Sequence, residues 1–253
     1  MKFSVLASGS TGNSTFIETA TTKILIDIGM SSLYIEKKLK SIDVDPSTIN
    51  AIIITHTHID HVSGLRVFIK KYHPIVFITR KMYPDLKEFL NDNEFEFIDD
   101  KIYLGDMTIT KFSVSHDAPD TNGYLVESNE SSIVYVTDTG YLNNRHFELL
   151  KNKNAYIFES NHDIKMLMDG KYQYHLKQRI LSDRGHLSNN DSAYYLSKII
   201  GSSTKKVILA HLSKENNTEE KAIESFNEMI KQTQYSIEPI VAHPNERTEL
   251  MTI

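Results

Sequence analysis

The sequence predicts a layered fold of the mixed α/β (α+β) class, arranged as a single domain over residues 1–253. Short segments rich in β-branched and aromatic residues recur along the chain, and Gly, Asn, Asp or Ser bounds most of them. Segments with helical periodicity lie between several of these strands. No Pro-, Gly- or Ser-rich linker and no internal repeat interrupts the 253 residues, which are enough to bury one substantial core.

The elements can be assigned in chain order. Strands are predicted at residues 2–8, 14–19, 23–29, 51–57, 74–79, 107–114, 122–128, 132–140, 154–160 and 205–212. Helices are predicted at residues 32–42, 64–73, 144–152, 188–200 and 218–233. Thr218 is the expected N-cap of the last helix, and Glu219 and Glu220 lie in its first turn, where the helix dipole favours acids.

The composition is that of a globular protein, with 40% hydrophobic and 24% charged residues. No apolar run reaches the roughly 18 residues that a membrane-spanning helix needs. The opening MKFSVLASGS does not resemble a secretory signal, because Gly and Ser interrupt its short apolar stretch. We therefore expect a cytoplasmic protein with no membrane partner, and no obligate protein partner is evident.

Cysteine content and charge narrow the chemistry. With no cysteine in the chain, disulfides are excluded and any metal must be held by nitrogen and oxygen ligands. Such ligands suit Zn²⁺, Mn²⁺ or iron, so the ion stays open. The net charge of -5 argues modestly against an abundant DNA coat protein, but it says little about an enzyme that grips phosphate through metal ions.

Four potential metal ligands crowd the segment THTHIDH (55–61): His56, His58, Asp60 and His61. Because an extended backbone turns alternate side chains to one face, His56 and His58 can reach one ion together. Asp60 and His61 open the following helical segment and can reach a second ion. Isolated, solvated loop histidines are the alternative, and they are a much weaker explanation of ligand types at this spacing.

Further candidate ligands follow other predicted strands: Asp27, His116, Asp138 and His211. Binding sites are commonly built on strand-end loops that a rigid scaffold positions. These positions can therefore converge on one edge of a layered fold. His73 and His146 lie in helical surroundings of mixed polarity, and for them we prefer the interpretation as solvated histidines.

The segment HTHIDH resembles the H-x-H-x-D-H signature of the metallo-β-lactamase superfamily, and His116, Asp138 and His211 occur in the family's order. The resemblance implies a four-layer αββα metallo-β-lactamase sandwich with two divalent metal ions, Mn²⁺ or Zn²⁺, at one edge. It implies the following ligands: His56, His58 and His116 for one ion, Asp60, His61 and His211 for the other, and Asp138 bridging both. Asp27 would support a ligating imidazole from behind or be only a turn residue, and both interpretations stay open.

Three more segments resemble the WalJ/YycJ-type branch of that superfamily: LASGSTGNS (6–14), ESNHD (159–163) and HLKQRILSDRGHLSNND (175–191). This resemblance implies a metal-dependent phosphodiesterase that acts on DNA, single- or double-stranded, as a 5′-to-3′ exonuclease. RNA is a further possible substrate, since more distant members cut it. Two cations that share one water would create a hydroxide nucleophile and clamp the attacking and leaving oxygens, and Asp60 would be essential to that centre.

The same resemblance suggests the substrate contacts. Arg184, Ser188 and Asn189 would hold the phosphate, and His186 would donate a proton to the leaving oxygen. Two further residues would flank the pocket: Asn161 and His162. The glycines of SGSTGN (8–13) could also bring the backbone close to the substrate, and an ordinary hairpin turn is the alternative. For Arg184 the alternative is a solvated basic face, and for Ser188 or Asn189 it is a helix N-cap. For His186 it is a loop histidine without substrate contact.

Two functions in different substrate classes remain open: a dinuclear-metal DNA nuclease, and a metal-dependent hydrolase of a small ester, thioester or lactone. A metal-binding scaffold without activity is a third interpretation. It is disfavoured because structural metal sites are usually closed, whereas seven candidate ligands shared by two ions leave room for water.

Overall fold

The computed structural model describes residues 1–90, 94–129 and 131–253. Within these ranges the chain forms two seven-stranded sheets. The first sheet contains β1 (Lys2–Ala7), β2 (Ser14–Glu18), β3 (Lys23–Ile26), β4 (Ala51–Ile53), β5 (Ile75–Ile78), β6 (Phe95–Phe97) and β14 (Met251–Thr252). The second contains β7 (Lys101–Leu104), β8 (Met107–Ser113), β9 (Asn122–Ser128), β10 (Ser131–Val136), β11 (Ala155–Glu159), β12 (Lys206–Ala210) and β13 (Pro239–Val241).

The two sheets have the same internal plan. The spatial order is β14-β1-β2-β3-β4-β5-β6 in the first and β13-β12-β11-β10-β9-β8-β7 in the second. Strands β3 to β6 pair in parallel, as do β10 to β13, and the remaining pairs are antiparallel. The carboxyl ends of the strands in each parallel half therefore lie on one edge of their sheet.

Successive side chains along each strand point to opposite faces of the sheet, and the apolar side chains on the inner faces explain why the two sheets pack face to face. In β3, Ile24 and Ile26 enter the core between the sheets, whereas Leu25 packs on the opposite side. In β12, Ile208 enters the same inner core and Leu209 packs outward. Both faces of these strands are buried, which is why their sequences read as continuous apolar runs.

Helices cover the two outer faces. The helices of the described residues are α1 (Ser32–Lys40), α2 (Ile59–Val62), α3 (Leu65–Tyr72), α4 (Tyr83–Leu90), α5 (Phe147–Leu150), α6 (Ile164–Asp169), α7 (Tyr174–Leu181), α8 (Asn189–Ile199) and α9 (Glu219–Ile230). Residues of α1, α3 and α4 join the core outside the first sheet, and residues of α5, α8 and α9 join the core outside the second. This arrangement confirms the predicted four-layer αββα sandwich.

Some predicted boundaries differ from the structure. Three strands end three or four residues earlier than predicted, at Ile26, Ile53 and Val136, so His56 and His58 lie in a loop and not on a strand. The β-branched residues Ile54 and Thr55 extended the sequence pattern into that loop. Thr218 does cap α9, since its side chain accepts a hydrogen bond from the amide of Lys221. Among the described residues, no helix combines the length and apolarity needed to cross a membrane.

Candidate metal centre

Three predicted site residues lie just after the ends of strands: Asp27, Asp138 and His211. Each has a left-handed backbone conformation. The φ angles are 59° at Asp27, 57° at Asp138 and 56° at His211. Residues other than glycine rarely adopt this conformation, because it costs on the order of 1 kcal/mol or more. The chain thus turns sharply at the carboxyl ends of β3, β10 and β12, and these turns bring polar side chains from both sheets together.

The first ligand group consists of His56, His58 and His116, whose candidate ligand atoms lie within 4.8 Å of one another. The Nδ1–H of His116 donates to the carbonyl oxygen of Gly185 at 3.0 Å, which leaves its Nε2 lone pair for an ion. His56 Nδ1 lies 3.1 Å from the Thr55 hydroxyl, so its buried Nε2 is likewise available. Burial lowers the pKa of His56 and His116, which favours the neutral imidazole that binds metals.

The second group surrounds the Asp138 carboxylate. Asp138 Oδ2 lies 3.1 Å from His61 Nε2 and 3.1 Å from His211 Nδ1. Asp60 is nearby, because its Oδ2 lies 3.6 Å from the same His61 nitrogen. Asp138 also groups with His56 and His61. The structure therefore brings the predicted ligands of both ions to one place, with Asp138 between the two groups.

Several buried atoms at this place have no hydrogen-bond partner among the described residues. They are His56 Nε2, Asp138 Oδ2 and both ring nitrogens of His211. Buried polar atoms are normally paired, so an unpaired set that converges from both sheets needs an explanation. Imidazole and carboxylate are the ligands that divalent Zn and Mn accept. The residues present thus fit a divalent metal centre.

The electrostatics of the second group also favour a cation. Burial would lower the pKa of His211, but the carboxylates of Asp138 and Glu159 outweigh it and raise that pKa to about 10. Burial would raise the pKa of Asp138, yet His211 and His61 hold it well below its usual range. The buried, ionised carboxylates of Asp138 and Glu159 create a negative potential that a divalent ion neutralises.

Asp27 lies behind His61 and is fully buried. Its Oδ2 accepts a hydrogen bond from His61 Nδ1 at 2.8 Å, and its two oxygens accept the amide and the hydroxyl of Thr55, also at 2.8 Å. Because His61 Nδ1 carries the proton in this arrangement, His61 Nε2 presents a lone pair to the metal site. Asp27 therefore occupies a turn position and orients a candidate ligand at the same time.

Glu159 was missing from the residues predicted from the sequence. It ends β11, is fully buried, and accepts a hydrogen bond from His186 Nδ1 at 2.7 Å. It also lies 3.4 Å from His211 and accepts the amide of Thr139 at 2.8 Å. The signal available in the sequence was the position of Glu159 at a strand end within ESNHD, shortly before the predicted pocket residues Asn161 and His162.

A cavity of about 200 Å³ adjoins the two ligand groups. His116 and His186 form its side towards the metal site, and Asn161 lies on its wall. Tyr172 and Arg179, from the chain around α7, line the rest together with Ser10. The cavity thus combines an aromatic ring, the ion pair of Arg179 with Asp117, and polar groups next to the metal centre.

The other predicted substrate contacts are placed differently. Arg184 is exposed, with its Nε 3.5 Å from the carbonyl oxygen of His116. Ser188 is the N-cap of α8 and accepts the amide of Asp191 at 3.1 Å. Asn189 is buried and bonded to Ser160 at 2.7 Å.

The remaining pair that was predicted to flank the pocket lies deeper. The Asn161 side-chain amide donates to the carbonyl oxygen of His211 at 2.9 Å, which ties the cavity wall to a candidate ligand. His162 is buried, and burial lowers its pKa to about 4. Its ring nitrogens have no hydrogen-bond partner among the described residues.

The profile of the beta-lactamase superfamily domain matches residues 22–212. With this match, the αββα sandwich and the histidine and aspartate cluster at its edge, the chain belongs to the metallo-β-lactamase superfamily. The metallo-β-lactamase fold protein YhfI from Bacillus subtilis shares the fold, with a TM-score of 0.74, 15% identity, and coverage of 98% of this chain and 99% of that chain.

Two curated relatives are more similar in sequence. The exodeoxyribonuclease YycJ of Bacillus anthracis is 37% identical over 242 residues, which cover 94% of this chain and 92% of the relative. The exodeoxyribonuclease WalJ of Streptococcus pneumoniae serotype 2 is 41% identical over 229 residues, which cover 87% of this chain and 85% of the relative. These matches agree with the family branch predicted from the sequence.

Proposed function

We propose that the protein is a metal-dependent nuclease, a dinuclear phosphodiesterase that degrades DNA as a 5′-to-3′ exonuclease. One observation carries the metal-dependent part: the convergence of unpaired, buried imidazole and carboxylate atoms from both sheets. The assignment of DNA as substrate is supported by the two relatives that are named exodeoxyribonucleases and match most of the chain. Mn²⁺ and Zn²⁺ are the proposed ions.

The proposed ligands of the first ion are His56, His58 and His116. Those of the second ion are Asp60, His61 and His211, and Asp138 is shared by both. Divalent ions bound there would supply an activated water and neutralise charge on the phosphate. The chain itself supplies the proton for the leaving oxygen. Glu159 holds His186 Nδ1, so the other ring nitrogen of His186 is left for the cavity that this residue lines.

Burial would lower the pKa of His186, but Glu159 outweighs it and raises that pKa. A raised pKa favours the protonated imidazole that a proton donor requires. The carboxylate also fixes the ring orientation, because its hydrogen bond is short and the Glu159 side chain is fully buried. Glu159 is therefore proposed as the residue that positions His186.

The cavity gives the substrate side of the proposal. Tyr172 can stack on a base, since every nucleobase presents an aromatic face. Arg179 lines the cavity as the ion-pair partner of Asp117. The exposed Arg184 lies beside His116 and supplies positive charge near the metal centre. Ser188, Asn189, Asn161 and His162 remain predicted contributors to this side of the site, and RNA remains a possible second substrate.

The alternative function is hydrolysis of a small ester, thioester or lactone. The same metal centre can perform that reaction, because fold and ions alone do not select the substrate. The exposed Arg184 beside His116 favours the phosphodiester, which carries a permanent negative charge.

The direct test incubates metal-loaded protein with single- and double-stranded DNA labelled at the 5′ or the 3′ end. We expect metal-dependent release of label first from 5′-labelled strands, and no cleavage of a circular single strand. His116→Ala should abolish the reaction, whereas His73→Ala, a matched histidine outside the site, should retain it. Efficient hydrolysis of small esters or lactones without DNA cleavage would support the alternative and contradict the nuclease.

A further inference from the structure

The loop between β1 and β2 contains the SGSTGN segment, for which the sequence analysis left an ordinary hairpin turn as an alternative. The loop is tightly folded: the Gly12 amide donates to the Gly9 carbonyl oxygen at 2.9 Å. Gly9 has a φ of 133°, and a Cβ there would lie 3.2 Å from the ring of Pro244. This fold directs the Asn13 side chain into the protein, where Asn13 is only 1% exposed.

The backbone of Asn13 joins two loops of the metal centre. Its amide donates to the carbonyl oxygen of Asp60 at 2.8 Å, and its own carbonyl oxygen accepts the amide of Gly29 at 2.8 Å. The side-chain Oδ1 accepts the Gly9 amide at 2.9 Å. Because an amide donor identifies this atom as the oxygen, Nδ2 is the donor, and it lies 3.2 Å from the carbonyl oxygen of Gly9 and 3.4 Å from that of Asp60.

Two candidate ligands of the second ion lie within reach of that donor. Asn13 Nδ2 is 3.0 Å from His61 Nε2 and 3.3 Å from Asp60 Oδ2. When the neutral His61 ring donates its Nδ1 proton to Asp27, its Nε2 presents a lone pair that can accept from Asn13. One buried amide therefore contacts the ligating atoms of two adjacent side chains.

We propose that Asn13 is a positioning residue for the second ion, which holds Asp60 and His61 with their ligand atoms turned towards the metal site. When an ion takes the His61 Nε2 lone pair, the amide retains Asp60 Oδ2 as its acceptor. A hydrogen-bonded carboxylate keeps its orientation while its other lone pairs bind the ion. This role rests on the dinuclear centre proposed above, but not on the nature of the substrate.

The test measures the binding of both ions to metal-free protein by calorimetry, with Zn²⁺ or Mn²⁺ as the titrant. Asn13→Ala removes the donor, and Asn13→Asp keeps the shape of the side chain but replaces the donor with an acceptor. We expect each change to weaken binding of the second ion by about 10- to 100-fold, which is the usual effect of losing a residue that supports a ligand. Binding of the first ion should be unchanged. Asn50→Ala is the matched control, since Asn50 accepts one amide hydrogen bond at the opposite end of β4.

A second measurement separates positioning from a structural role. In Zn²⁺-loaded protein, the ¹⁵N spectrum of the histidine side chains should change at His61 in both Asn13 variants. The signals of His56, His58 and His116 should stay at their wild-type positions. Second-ion affinity equal to wild type in both variants would overturn the proposal, as would parallel weakening of both ions. A wild-type stoichiometry of one ion would overturn the dinuclear centre together with it.

Discussion

Replacing Asp27 by asparagine removes one charge and one acceptor behind the second ion. The Asp27 carboxylate accepts three hydrogen bonds at 2.8 Å, two from Thr55 and one from His61 Nδ1. An asparagine side chain has one oxygen and one NH₂ group. If its oxygen accepts the Thr55 amide, its NH₂ faces the proton on His61 Nδ1. His61 then loses its partner or moves its proton to Nε2, where the proton blocks the metal site.

The expected magnitude follows from these contacts. A buried donor left without a partner costs about 1–3 kcal/mol, so the unfolding free energy of metal-free Asp27→Asn should fall by about that amount. A ligand imidazole that loses its supporting carboxylate typically weakens metal binding by about 10- to 100-fold. The loss should concern the second ion, because the first group of histidines does not contact Asp27.

Calorimetric titration of the metal-free protein, together with urea unfolding, measures both quantities. Asp45→Asn serves as the control, since Asp45 is an exposed N-cap whose carboxylate accepts the Ser47 amide far from any candidate ligand. Wild-type affinity for the second ion in Asp27→Asn would refute the reasoning, because the carboxylate would then be a turn residue without influence on His61.

Three further outcomes are expected. Asp60→Ala should abolish cleavage while circular dichroism and urea unfolding stay close to wild type, because its carboxylate is at the rim of the site and not in the core; hydrolysis with metal content unchanged would contradict its ligand role. His186→Ala should slow DNA cleavage by on the order of 100-fold without loss of metal, whereas loss of an ion, measured by elemental analysis, would make it a ligand. Asp106→Asn should lower stability by about 1 kcal/mol near pH 7. Hydrogen bonds from Thr19 and Thr21 lower the Asp106 pKa to about 2, so this stabilisation exists above about pH 4 and is lost as pH falls towards 2; a stability difference that stays constant in urea unfolding between pH 7 and 2 would contradict it.

The centre of the site was predictable from the sequence, because local signals define it. His56, His58, Asp60 and His61 lie together in the chain, and the apolar strand before them sets their place at a sheet edge. Their exact conformation was not predictable. Strand β4 ends at Ile53, where the backbone turns and brings both histidines to one place. The β-branched residues after Ile53 continue the sequence pattern of a strand, so the pattern does not reveal this turn.

The supporting residues depend on contacts between distant parts of the chain. Glu159 meets His186 across 27 residues, and Asn13 meets Asp60 across 47. A strand-end position can mark such a glutamate as a candidate, but the sequence does not show which distant residue a lone glutamate or asparagine contacts. The fold class was predictable from strand alternation, but two helices were not. The six residues of α6 are too few to show a helical period, and the charged and polar residues of α7 resemble a surface loop.

The most direct test of the central claim relates DNA cleavage to metal content. Metal-free protein is supplied with increasing equivalents of Mn²⁺, bound ions are counted by elemental analysis, and the cleavage of end-labelled DNA is followed at each step. The proposed centre predicts no cleavage without metal and a maximal rate at two ions per chain, with Asp138→Ala inactive at every step. Full cleavage by metal-free protein, or a maximal rate at one ion per chain, would contradict the dinuclear mechanism.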